Sequence, residues 1–212
     1  MTIAKAEILA NLNAELNRTE TDVDDYILSA MKKLSLADDF IWIESEVSMI
    51  TGREYYSLPS DYKKLMTIHL KDGENKIPLS KVSFREYSKA AASIEDSDDY
   101  AEPYCFAIHG GFWYAYPTPD DEYTAILHYN AFVPESEEID EETVNAVDNI
   151  GHYFSDIYRD ALNTLTKAYY CLSKQLKDEA SAYFTIFTNI DLPPLKKLVE
   201  RESRYLPYRD LY

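Results

Sequence analysis

The sequence predicts an α+β fold, a helical bundle built from the N- and C-terminal helices with an antiparallel β-rich insertion between them. Three observations carry that expectation. Apolar residues recur at helical spacing near both ends of the chain. Between roughly residues 40 and 133 the pattern changes to alternation punctuated by Gly and Pro. The 212 residues are 46% apolar, enough for a buried core. Amphipathic ends bury their stripes only against other elements, so the two ends are expected to pair. The expected division is helical segments 1–39 and 134–192, an insertion 40–133 and a C-terminal tail 193–212.

Residues 3–18 form the first expected helix, with Ile8, Leu9, Leu12 and Leu16 on one stripe. Thr21 and Asp24 have capping-box spacing and precede a second helix to about Leu36, its inner face Val23, Tyr26, Ile27, Ala30, Met31 and Leu34. Val47 and Met49 alternate with polar residues, Gly52 marks a turn and Tyr55-Tyr56 begins the return, which predicts a hairpin. Pro59 ends it, because proline cannot donate to a ladder. Met66, Ile68 and Leu70 define a further strand before an Asp72-Gly73 turn. Ser83 suits the cap of a short helix over 84–92, and acidic residues 93–102 read as a mobile loop.

The clearest local signal runs from Tyr104 to Tyr116, two aromatic-rich strands around Gly110-Gly111, where a tight turn needs positive φ. Pro117-Thr118-Pro119-Asp120 turns the chain into a strand with Tyr123, Ala125, Leu127, Tyr129 and Ala131 on one face. Helical period returns from Asp140 through Val144, Val147 and Ile150, with a break or kink at Gly151. Tyr153, Ile157, Ala161, Leu165, Ala168 and Leu172 form a long stripe. A last helix from Lys177 turns Ala180, Tyr183, Phe184, Phe187 and Ile190 inward, and Pro193-Pro194 is expected to interrupt it.

The net charge of −17 is unevenly spread. Between Lys89 and Arg159 there is no Lys or Arg, while the same stretch holds 16 acids. Such a surface repels nucleic acid. Nineteen tyrosines join large contact area to a polar tip, which suits cores and subunit interfaces. Cys105 and Cys171 have no metal spacing and read as reduced thiols. No apolar run is long enough to span a membrane, and Met1 to Asn11 lacks a signal pattern, so the expected compartment is the cytoplasm or a particle assembled there.

Several residues, in order along nearly the whole chain, resemble the head-to-tail adaptors of tailed bacteriophages. Tyr56-Ser57-Leu58-Pro59-Ser60-Asp61 is similar to a Tyr-x-Leu-Pro-x-Asp motif that follows a Gly-containing turn in that family. Pro78-Leu79 and Phe84 resemble its next strand and short helix. Glu102-Pro103-Tyr104, Gly110-Gly111 and Tyr116-Pro117-Thr118-Pro119-Asp120 resemble its later run, and Lys177-Asp178 the pair that opens its second C-terminal helix. Two departures stand out: Pro193-Pro194 cuts a helix that is usually unbroken, and the acidic loop 93–102 is long. The resemblance implies a structural neck protein without catalysis or cofactor. It implies a homo-oligomeric ring beneath the portal that matches the portal's twelve-fold symmetry. The implied partners are the portal and other tail or neck proteins, with DNA passing through unbound and no membrane.

The candidate sites follow from these readings. Tyr56, Leu58, Pro59 and Asp61 form either an interface element or, the favoured reading, a structural corner with Leu58 buried and Asp61 bonding backbone amides. Arg201, Arg204, Tyr205, Tyr208, Arg209 and Tyr212 are of the types that carry interface energy and form a candidate portal-docking tail; a basic end packed on its own acidic body is the plain alternative. Glu135, Glu137, Glu138, Asp140, Glu141 and Glu142 form a candidate acidic lining or surface past which DNA slides, or simply a solubilising face. His69, His109, His128 and His152 share no metal-ligand spacing, and no acidic run has a calcium loop's spacing and glycine, so no metal or catalytic site is expected. The alternative from another class is a virion-associated cell-wall hydrolase using paired carboxylates, though no one pair stands out. A third, an acidic decoy mimicking DNA, fits poorly with an ordered tyrosine-rich insertion.

Overall fold

The computed structural model describes residues 3–73, 75–92, 100–134, 136–139 and 142–205, with backbone alone at 72, 136–139, 142–145 and 201–205. The fold is α+β and comprises two compact units, Met1–Ile41 with Phe132–Tyr212, and Trp42–Ala131.

The first unit is mainly helical. Helices α1 (Lys5–Leu16) and α2 (Asp24–Ala37) bury Ile8, Leu12, Ile27, Ala30, Met31 and Leu34. Helix α5 (Arg159–Ser173) packs against α1, α2 and α6 (Lys177–Ile186), so the two ends of the chain do bury one another's stripes. Ion pairs join the same elements: Lys5 Nζ lies 2.6 Å from Asp24, and Arg159 reaches Glu7 of α1 as well as Asp156. The expected Thr21 capping box does not form. Val23 is the N-cap residue without a side-chain bond, and Asp22 instead accepts the Asp24 N–H at 3.1 Å. Residue 21 lies too early to cap a helix that starts at Asp24.

The C-terminal half departs further from the expected helices. Residues 142–145 are not helical: β9 (Ser136–Ile139) and β10 (Glu142–Asn145) pair antiparallel, with Asp140 and Glu141 between them outside the described residues. β-branched Thr143 and Val144 suit that strand better than a helix. A 3-10 turn (Ala146–Asn149) and α4 (Ile150–Tyr153) follow, and the chain breaks at extended Phe154 rather than at Gly151. Consequently Ile157 sits in a separate 3-10 turn, 52% exposed, and Leu172 at the end of α5 is 49% exposed, while Tyr153, Ala161, Leu165 and Ala168 are buried.

Pro193-Pro194 does not stop the chain from coiling. Residues Phe187–Asp191 wind as a π-helix and α7 (Leu192–Tyr205) starts just before the prolines. Both prolines therefore occupy a first helical turn, where a missing N–H is tolerated, and the wider π turn takes up the interruption of the ladder. The same change of winding rotates Ile190 off the inner face, leaving it 63% exposed, whereas Ala180 and Phe187 remain buried.

The second unit holds two four-stranded sheets. One has the order β1-β8-β3-β4, from β1 (Trp42–Met49), β8 (Tyr123–Ala131), β3 (Tyr62–Asp72) and β4 (Asn75–Pro78). The other has the order β2-β7-β6-β5, from β2 (Tyr55–Ser57), β7 (Phe112–Tyr116), β6 (Cys105–His109) and β5 (Ser80–Lys81), with a parallel β5–β6 pair. The β3–β4 and β6–β7 hairpins form where glycine turns are expected, with φ of 60° at Gly73 and of 60° and 83° at Gly110 and Gly111. The hairpin expected between β1 and β2 does not form. β1 pairs with β8 and β2 with β7, so the turn at Gly52 carries the chain from one sheet to the other. Strand β8 lies between β1 and β3, and Ile126 and Asn130 are buried along with Leu127 and Ala125. A register shift between Leu65 and Thr67 puts Leu65, not Met66, in the core with Ile68 and Leu70. Helix α3 (Phe84–Ala92) starts at a reciprocal capping box, Ser83 N–H to Glu86 at 2.9 Å and Glu86 N–H to Ser83 Oγ at 3.2 Å.

Candidate interaction surface

The Tyr56–Asp61 motif is a braced corner. The β2–β7 register sets Tyr56 opposite Trp113, so both rings point inward and stack at 4.8 Å between centroids. The Tyr56 hydroxyl accepts the Ile50 N–H at 3.1 Å and donates to the Arg53 carbonyl at 2.8 Å, which ties down the preceding loop. Two details differ from expectation. Tyr56 is the buried residue and Leu58 is only half-buried, because Leu58 lies past the strand, where its N–H bonds the Gly111 carbonyl at 3.1 Å. Asp61 accepts the Tyr129 hydroxyl at 3.0 Å and so ties the corner to β8 by a side chain.

Beside the corner lies an open polar cavity of 460 Å³ lined by Gly52, Arg53, Glu54, Tyr55, Tyr100 and Thr118. Its tyrosines are among the exposed aromatics of this unit, Tyr55 at 45% and Tyr100 at 52%, with Tyr104 and Phe112 exposed as well. Tyr55 packs edge-on against Phe112 at 5.6 Å. The next aromatics along this sheet are covered by α3: Tyr87 lies against Tyr114 and Tyr116, and Phe84 stacks on His109 at 4.2 Å. The Tyr87 hydroxyl donates to Glu54 at 2.9 Å, and burial beside that carboxylate pushes its pKa far up. An ordered aromatic rim around a polar floor is suited to protein contact.

The outer face of the first sheet brings together residues that sequence spacing kept apart. Glu44 lies directly across from His128, whose Nδ1 is 3.4 Å from the carboxylate. His69 meets His128 edge-on at 5.1 Å, Lys76 bonds Glu44 at 2.8 Å and Lys71 bonds Glu46 at 2.8 Å. Only non-local strand pairing creates this cluster, so no local signal announces it. Burial holds both imidazoles below their ordinary value of 6.5, and each also feels the Lys76 charge. The unfolded chain therefore takes up protons before the folded one does. Stability should be full above the ordinary imidazole value and fall as pH drops through it toward the depressed pKa values. Urea titrations between about pH 8 and 5 should show that fall, and a His69→Gln/His128→Gln double variant should flatten it. An unchanged slope in the variant would assign the fall to other groups.

The remaining candidates are placed as follows. Glu137, Glu138 and Glu142 lie on β9 and β10, while Glu135, Asp140 and Glu141 are outside the described residues. Arg201, Arg204 and Tyr205 lie on the backbone of α7, and Tyr208, Arg209 and Tyr212 are outside the described residues. Leu195 and Val199 of α7 are buried, so the start of the expected tail belongs to the helical core. Asp191, in the π turn, has its carboxyl pushed above the ordinary range by burial, with a Thr164 hydrogen bond acting against that. Both cysteines are free and buried. Among the described residues no group of three or more His, Cys, Asp or Glu is placed to hold a metal, and no helix is long and apolar enough to cross a membrane.

No curated protein matches the chain. The family model of the SU10 adaptor protein matches residues 1–201, which takes in the whole second unit with its aromatic rim and the first unit as far as Arg201 in α7. The chain thus belongs to the SU10 adaptor family, the structural head-to-tail adaptors of bacteriophage necks.

Proposed function

We propose that copies of this chain close into a ring beneath the portal, twelve in number to match it, extending the DNA channel and attaching the tail. The observation that carries the reading is the family match through residue 201. A closed ring needs a heterologous interface, in which one patch of each copy meets a different patch of the next. The ordered Tyr55, Tyr100, Tyr104 and Phe112 side chains are of the kind such interfaces use. In this reading the Tyr56–Asp61 corner shapes the rim without itself making contact.

The basic end provides portal docking. Arg201, Arg204 and Arg209 with Tyr205, Tyr208 and Tyr212 supply charge and aromatic anchors. Because Leu195 and Val199 are buried, the docking part starts beyond them. The acids of 135–142 face the DNA path or the outer surface, where like charge keeps phosphates from sticking. The chain works as a scaffold, without catalysis or cofactor, in particles assembled in the host cytoplasm.

Mass measurement of the purified chain, alone and with the portal ring, tests the reading. The expected result is a complex with one adaptor per portal subunit. A chain that stays monomeric beside the portal overturns it. Within a positive result, removal of residues 206–212 should weaken co-sedimentation with the portal, and full retention would place docking elsewhere.

A further inference from the structure

Among the described residues Arg53 is a cation held in place without a carboxylate. Its Nε donates to the Tyr55 carbonyl at 2.9 Å, and its guanidinium lies 5.8 Å and 5.3 Å from the Tyr55 and Tyr56 ring centroids. The loop under it is braced three times: by the Tyr56 hydroxyl on Ile50 and Arg53, by the Arg53 N–H on the Ile50 carbonyl at 3.0 Å, and by the Gly52 N–H on the Pro119 carbonyl at 2.8 Å. Its neighbour Glu54 is engaged elsewhere, by the Tyr87 hydroxyl. Among the described residues Arg53 has no carboxylate partner. Tyr55 and Tyr100, both about half exposed, wall the cavity it faces.

We propose that this cleft is the socket of the ring interface, taking a carboxylate from a second copy of the same chain. The inference rests on the ring reading above. A guanidinium held near two rings by its Tyr55 hydrogen bond has less freedom to lose, and its planar fork suits a carboxylate. Charge complementarity names the occupant. With 38 acids against 21 bases, and no Lys or Arg between Lys89 and Arg159, every copy offers carboxylates and few competing cations. Nucleic acid is the poorer fit, since Glu54 shares the cavity lining and the chain's net charge of −17 repels a polyanion at longer range than one guanidinium attracts it.

The experiment uses the full chain with the portal ring. If the wild-type chain forms no ring, the ring reading fails and the socket fails with it. If the wild type forms a ring, Arg53→Ala and Arg53→Glu should weaken subunit association by about 30-fold or more, the scale of an interface anchor. An Arg53→Ala ring that assembles at wild-type concentration overturns the socket and leaves the ring reading standing. A second variant reports even where these two misfold. Arg53→Lys keeps the charge and introduces an amine, which a zero-length carbodiimide joins to a touching carboxylate. In rings mixed from ¹⁵N-labelled and unlabelled copies, peptides joining Lys at 53 to an Asp or Glu of a differently labelled copy are expected. Links within one copy alone, or none at all, overturn the proposal.

Discussion

Replacing Trp113 with alanine is expected to cost the β-rich unit about 3–5 kcal/mol, the range for emptying a large aromatic site in a packed interior. Trp113 is fully buried, stacks on Tyr56 and pairs with it across β2 and β7. The loss therefore reaches the corner that holds the Gly52–Tyr55 loop. Trp113→Phe should be far milder, because among the described residues the buried indole Nε1 has no hydrogen-bond partner, and phenylalanine removes that unsatisfied donor along with part of the ring. Urea unfolding followed by near-ultraviolet circular dichroism, which reports the tyrosines that remain, gives both values. An alanine variant within about 1 kcal/mol of wild type would contradict the packing described here.

The second large effect is expected from Leu165→Ala, at about 2–5 kcal/mol. Leu165 is fully buried on α5, the helix against which α1, α2 and α6 all pack. A cavity there is felt by elements from both ends of the chain, so far-ultraviolet dichroism should show helix lost at lower urea. The comparison residue is Leu172, the next-to-last residue of the same helix and 49% exposed. Leu172→Ala should change stability by no more than about 0.5 kcal/mol. Equal costs at the two positions would mean that α5 is rotated from the orientation described.

Local patterns were legible where the physics is local. The stripes of α1 and α2, the Ser83 cap and the turns at Gly73 and Gly110-Gly111 each depend on residues a few positions apart, and each appears where the sequence places it. The expected hairpin through Gly52 failed because a turn signal specifies that the chain reverses, not which strand it then meets. The helix expected from Asp140 failed over 142–145 because a few apolar residues at helical spacing cannot outweigh β-branched residues that have an antiparallel partner. The prolines misled for a related reason: a missing N–H interrupts a ladder, yet a neighbouring π turn accommodates the interruption. At the interaction surface, the His69–His128–Glu44 cluster was not legible, since its members lie on three strands far apart in sequence, and Arg53 was missed because the cavity beside it also draws on Tyr100 and Thr118 from distant parts of the chain.

By itself, then, the sequence determined the α+β class, the order of helical ends around a strand-rich middle and the acidic character of residues 90–158, because composition and periodicity act along the chain. The tertiary structure alone decided which strands share a sheet, which faces are core and which charged or aromatic groups stand together. Those outcomes depend on pairing across distances that the chain closes only on folding, where burial of β8 between β1 and β3 and of Trp113 against Tyr56 outweighs any local preference.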